Sequence, residues 1–198
     1  MRNPANAHYQ CPYLAGQCQK RGHHLEGPYP VCSVRRKTST QLIAVCPKRF
    51  LEADLVGDVV KHCWPGPPPA NPRVAHEVTM AKFGKVDLVV ADYDSAKHAI
   101  REFVSVELQA VDITGSVEPA YTALINSWRE AEVSYGLNWA NVRKRYIDQL
   151  VAKCFYHHQW GTRMVAVMQS PLYAYLRSHM QFDEIALGYY VGAYTSSS

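Results

Sequence analysis

Hydrophobic and polar positions are most ordered between 83 and 112, where FGKVDLVVADYDSAKHAIREFVSVELQAVD reads as two apolar strands joined by a polar turn. The first, Val86 to Tyr93, is almost wholly apolar yet carries Asp87 near its start. The second, Arg101 to Val111, alternates, with Phe103, Ser105, Glu107 and Gln109 on one face and Val104, Val106, Leu108 and Ala110 on the other. Residues two apart on a strand point the same way, roughly 7 Å apart. Glu107 and Gln109 therefore sit side by side, and pairing the strands brings Asp87 towards them.

Upstream, Phe50 to Trp64 predicts a helix with Leu51, Leu55, Val56, Val59 and Val60 as its apolar stripe. It ends at Pro65-Gly66-Pro67-Pro68-Pro69, a stiff connector that no helix continues through. A second helix is expected from Asn71 as N-cap and Pro72 in the first turn to Gly84 past its end, with Val74, Val78 and Ala81 on its apolar side. Glu77 falls in the middle of that helix, where a lone acid is ordinarily solvated; its interest is that the helix leads into the Asp87 strand.

Downstream, Tyr121, Leu124, Ile125 and Trp128 mark a helix. Another runs from Asn138 to Phe155, lined by Trp139, Val142, Tyr146, Leu150 and Cys154, with Arg143, Lys144 and Lys153 on its polar side. Arg163 to Gln169 is a strand, a short helix follows from Tyr173, and a last apolar stretch covers Ile185 to Tyr194. The order helix, strand, strand, helix, helix, strand predicts an α/β fold, a mixed sheet covered by helices.

Composition narrows the classes. A chain of 198 residues, 47% hydrophobic and 19% charged, can bury a globular core and is not disordered. The net charge of +4, with nine His besides, is compatible with nucleic acid. No apolar run nears the roughly 20 residues needed to span a bilayer, and the first ten residues have no signal-peptide core. No membrane association and a cytoplasmic location are expected.

Four of the six Cys, Cys11, Cys18, Cys32 and Cys46, fall in the first quarter. Six residues separate the first two, and thirteen separate each later pair. Inside a cell such a group binds metal more often than it forms disulfides. Four thiolates suit a tetrahedral cage that zinc and iron both accept; the alternative is buried free thiols. Cys63 and Cys154 lie in helical segments and are expected in the core. The Pro-rich connector then sets the expected boundary: 1–64 as a four-cysteine metal-binding region and 65–198 as the main domain.

Chemically, Asp87 and Glu107 are carboxylates suited to a hard cation such as Mg²⁺, which is typically held by one or two carboxylates with substrate phosphate and water. Gln109 could orient a water, and Glu77 could assist from outside. The pattern D-(19 residues)-E-x-Q resembles the PD-(D/E)xK nuclease core, with Val86 at the usual Pro and Gln109 at the usual Lys.

Adding Cys11-Pro12 with Cys18, PYPVCSVR (28–35), LIAVCPKRF (42–50), KVDLVV (85–90), SVELQAVD (105–112) and GLNWANVRKRYIDQLVAKC (136–154), the chain resembles NotI-type restriction endonucleases from about Cys11 to Gln169. The resemblance implies a type II restriction enzyme of the restriction-endonuclease-like fold that cuts double-stranded DNA at a palindromic, GC-rich site. It also implies a homodimer that uses Mg²⁺ and no nucleotide cofactor. Asp87, Glu107 and Gln109 match its catalytic set and Glu77 a further position, with Asp87 and Glu107 as Mg²⁺ ligands. Cys11, Cys18, Cys32 and Cys46 match the ligands of a structural iron, with zinc as the alternative. A non-catalytic DNA-binding protein on the same scaffold is the competing reading, motivated by the missing Lys.

Arg35-Arg36-Lys37 and Lys48-Arg49 are candidate phosphate contacts. The adjacent pairs His23-His24 and His157-His158 are poorly placed to share an ion, and are expected at the surface or facing DNA.

Overall fold

The computed structural model describes residues 8–22, 24–35, 41–82, 84–127 and 134–180. Trp128, the Ile185–Tyr194 stretch, His23, Arg36 and Lys37 lie outside them. The chain divides into two compact units, Met1–Glu52 with Ala110–Val142, and Ala53–Gln109 with Arg143–Ser198.

In the first unit, β1 (Ser33–Arg35) and β2 (Leu42–Ala44) form an antiparallel pair, with Val34 opposite Ile43. A second short pair joins β6 (Ile113–Gly115) to β7 (Tyr135–Leu137). The Val111 N–H donates to the Ala44 carbonyl, at 2.9 Å, tying the later segment to the first hairpin. Helix α2 (Glu118–Ser127) buries Tyr121, which meets Tyr29 edge to face at 5.2 Å.

The second unit is built on a four-stranded mixed sheet in the order β3-β4-β5-β8. Strands β3 (Arg73–Met80), β4 (Gly84–Asp94) and β5 (Ala99–Gln109) form an antiparallel meander. Strand β8 (Arg163–Met168) pairs parallel with β5, Glu107 facing Ala166 in register. Parallel pairing needs a crossover, and helix α3 (Trp139–Gln159) lies on that path. Helix α4 (Ser170–His179) follows β8 and buries Leu172 and Leu176. Leu88 to Ala91 and Val104 to Leu108 are buried without a break, so both faces of the central strands are covered.

Two expectations are corrected. Residues 71–84 do not form a helix: Arg73–Met80 is the edge strand β3. Val74 and Val78 fit period two as well as period four, and β-branched Val and Thr favour the pleated surface. Gly84 has φ +88° and closes the turn into β4 instead of capping a helix; either role needs the left-handed region. Glu77 is therefore on a strand.

The 50–64 segment is also broken. A 3-10 turn (Pro47–Glu52) gives way to α1 (Leu55–Asp58) and a π turn (Val59–Cys63). Asp54 restarts the helix by accepting the Gly57 N–H at 3.0 Å. Leu55, Val59 and Trp64 are buried, whereas Cys63 is only half-buried. No helix among the described residues is long and apolar enough to cross a membrane.

Candidate active site and cysteine cluster

Strand register places the acids. Leu88 pairs with Val106, so the next positions, Asp87 and Glu107, face each other on β4 and β5. On the other side His76 pairs with Leu88 and Val78 with Val86, which leaves Glu77 opposite Asp87. One row across the sheet thus carries Glu77, Asp87, Glu107 and Ala166. Glu77 itself has φ +51°, a left-handed backbone at a non-Gly residue, and is exposed. Gln109 ends β5, half-buried and level with Met168.

Asp87 is held by its neighbour strand: Oδ2 accepts the Leu108 N–H at 2.8 Å. Glu107 is 7% exposed. Burial raises its carboxyl above the ordinary range, Lys153 pulls it back down, and Asp87 pushes it up by like-charge repulsion. Two carboxylates that repel one another across a strand pair are a donor set that a hard divalent cation would relieve. Tyr146 adds a second sign. Its ring is 1% exposed, its hydroxyl has no hydrogen-bond partner among the described residues, and its phenol is raised by burial and then by Glu107 and Asp87. Hard oxygens and an unpaired buried hydroxyl fit a hydrated cation such as Mg²⁺.

The residue that sequence reasoning missed is Lys153. Expected on the polar side of α3, it is instead buried, with Nζ 2.6 Å from Glu107 Oε1 and 2.7 Å from the Lys85 carbonyl. One turn on, His157 is also buried, which corrects its expected surface position. Its Nδ1 is 2.8 Å from the Lys153 carbonyl and its Nε2 2.7 Å from Ser105 Oγ.

The signal was present in helical geometry. At about 100° per residue, steps of four from Val142 drift round the helix, and Cys154 ends about 120° away. Eleven residues return within about 20°, to Lys153. Cys154 is exposed, not in the core.

The cysteines lie in the first unit. Cys11 and Cys18 flank a small loop, with Cys11 N–H donating to Gly16 and Cys18 N–H to Tyr9, both at 2.8 Å. Cys32 precedes β1 and Cys46 follows β2, and the Val45 N–H donates to the Cys32 carbonyl at 3.0 Å. The Cys32 thiol is raised by its hydrogen bond with Cys46, by burial, and by Cys46, Cys18 and Cys11 nearby; the same hydrogen bond lowers Cys46. All four thiols thus share one neighbourhood.

Among the described residues, no three or more His, Cys, Asp or Glu form a metal-ligating group. Their mutual repulsion is what a soft cation would relieve, so the donor set fits zinc or iron. Lys20, also missed, donates to the Val31 and Val45 carbonyls at 2.8 and 3.2 Å, just before Cys32 and Cys46.

The candidate phosphate contacts fare unevenly. Arg49 is engaged internally, donating to Tyr13 Oη at 2.7 Å and pairing with Glu52. Arg35 is exposed.

The family model described as restriction endonuclease NotI matches residues 3–186. No curated protein matches the chain.

Proposed function

Because the chain belongs to the NotI restriction endonuclease family, we propose that it is a type II site-specific deoxyribonuclease hydrolysing phosphodiesters in double-stranded DNA with Mg²⁺. The observation that carries this is the facing of Asp87 and Glu107 across β4 and β5, with Glu107 responding to Asp87's charge. In this reading Asp87 and Glu107 hold the cation, Gln109 orients a water, and Glu77 assists from the edge strand. A cation so held neutralises phosphate charge and makes a bound water a better nucleophile.

The same reading extends to the rest of the chain. The four-cysteine set, Cys11, Cys18, Cys32 and Cys46, holds a structural iron, or zinc, within an N-terminal region expected at 1–64. The remainder, 65–198, is the nuclease core. Two copies reading a palindromic, GC-rich site would each cut one strand, as symmetric oligomers on symmetric sites do.

Purified protein incubated with Mg²⁺ and mixed genomic DNA should give fragments whose sequenced ends share one motif. Asp87→Ala should give none. Specific gel shift without cleavage at any Mg²⁺ or Mn²⁺ concentration would replace this reading with a non-catalytic DNA-binding protein.

A further inference from the structure

Gln109 stands where the nuclease pattern has a lysine, two residues after the strand acid. A lysine nevertheless reaches that acid from another element. We propose that Lys153 of α3 is a positioning residue for Glu107, tying its carboxylate to the Lys85 carbonyl so that it would be held in orientation for a divalent cation together with Asp87. This rests on the reading of Asp87 and Glu107 as the cation-holding pair.

The geometry is that of a clamp. Lys153 Nζ spans an acceptor on each side, Glu107 Oε1 at 2.6 Å and the Lys85 carbonyl at 2.7 Å. Lys85 is two residues before Asp87, so one ammonium ties the Glu107 side chain to the strand that carries the other acid. Both members of the ion pair are nearly excluded from water, 8% and 9% exposed at the side chain. A long, flexible Lys is held here by its surroundings rather than by its own stiffness.

The turn of α3 that bears Lys153 is itself fastened. A carbonyl can only accept, so His157 Nδ1 donates to the Lys153 carbonyl. In the neutral ring Nε2 is then the acceptor for the Ser105 hydroxyl. Ser105 is fully buried and two residues before Glu107 on the same strand face. Helix and strand are thus pinned at Ser105–His157 and at Glu107–Lys153, which fixes the register in which the ammonium meets the carboxylate.

Charge alone predicts the opposite of positioning. A bare ammonium beside a cation site repels the cation, so its removal would tighten binding. If Lys153 holds Glu107 in its ligating orientation, removal weakens binding, as loss of an outer-shell partner does by about 10- to 100-fold.

Manganese titration of the full chain, read by electron paramagnetic resonance, separates the two. Lys153→Met should weaken Mn²⁺ binding by about tenfold or more. Lys153→Arg should recover most of it. The Lys153→Met/Glu107→Gln protein should bind no more weakly than Glu107→Gln, because Lys153 acts through Glu107.

Ser105→Ala, which loosens the helix–strand pin without touching the ion pair, should weaken Mn²⁺ in the same direction and keeps the test open if Lys153→Met fails to fold. Mn²⁺ bound as tightly or more tightly by both Lys153→Met and Ser105→Ala would overturn the inference, as would additive losses in the double variant. Mn²⁺ affinity that depends on Lys153, in a wild-type protein that cuts no DNA, would support the clamp and sink the nuclease reading. Cleavage with a Mn²⁺ affinity indifferent to Lys153 would do the reverse.

Discussion

The carboxylate of Asp87 accepts the backbone N–H of Leu108 at 2.8 Å, one residue beyond the acid it faces. An acid on one strand thereby takes the place of a ladder acceptor for the other, and its orientation is set by the sheet itself.

Two substitutions separate that structural bond from the charge. Asp87→Asn keeps an acceptor for Leu108 and should preserve the thermal midpoint. Cleavage should fall about a hundredfold or more, since losing roughly 3 kcal/mol of charge stabilisation slows a step by that factor. Asp87→Ala should lose activity and also about 1–3 kcal/mol of stability, through an amide left without its partner. Unchanged cleavage rates in both would remove Asp87 from the site.

Tyr146 offers the converse case. Its hydroxyl is buried without a hydrogen bond among the described residues, so Tyr146→Phe should leave stability unchanged or raise it by about 1 kcal/mol. If the hydroxyl serves the hydrated cation, cleavage should fall roughly tenfold to a hundredfold. Paired melting curves and single-turnover rates decide; a variant both less stable and fully active would assign the hydroxyl to packing.

The cysteine cluster predicts a metal-dependent fold. Stripping an ion present at a hundred times its Kd removes about 2.7 kcal/mol, or about 5–11 °C of thermal midpoint for a chain of this size. Cys32→Ser or Cys46→Ser should reproduce that loss, and chelation should then add little. Thiolate-to-iron absorption would identify iron; a colourless protein with one zinc would identify zinc. Single Cys→Ser proteins at all four positions melting like wild type would rule the cage out.

Acid stability should report on the turn between β4 and β5. Asp94 accepts N–H groups from Ala96 and Lys97 at 3.0 and 3.1 Å and the Arg101 guanidinium at 2.7 Å. The Arg101 hydrogen bond, with those amides, holds its carboxyl below the ordinary range. A depressed folded value means the stabilisation is present above the unfolded value, about pH 4, and is lost as pH falls through the lower folded value. Asp94→Asn should therefore melt lower at neutral pH and lose less stability than wild type as pH falls below about 4. Parallel acid limbs would show that Asp94 contributes nothing there.

The sequence was legible where one periodicity dominated. Alternation from Phe103 to Gln109 placed β5, and the apolar run after Asp87 placed β4, because both strands are buried centrally. It misled where a local cue serves two structures. Asn71, Pro72 and Gly84 punctuate a helix or a strand and its turn equally well, and β3 is a largely exposed edge with too little buried surface to show a face. Lys153 and His157 were misplaced for another reason: a polar side chain buried by pairing leaves no hydrophobic trace. Their partners, Glu107 and Ser105, lie 46 and 52 residues away, beyond the reach of any local pattern.

The parallel pairing of β5 with β8 bears on when the site comes into being. The meander closes through short turns, with Met80 facing Gly84 and Asp94 facing Ala99, and hairpins of this kind form in about 1–10 μs. Val104 meets Arg163 only after a long loop has closed around α3, a later and entropically costlier event. The acids should thus become neighbours before their ammonium arrives, and the crossover should be the first part to let go. Amides of Val165 to Val167 should exchange with solvent sooner than those of Leu88 to Val90, and the reverse order would show that the sheet opens from its other edge. Fluctuations of the native chain would then unclasp Glu107 while the two acids still face each other.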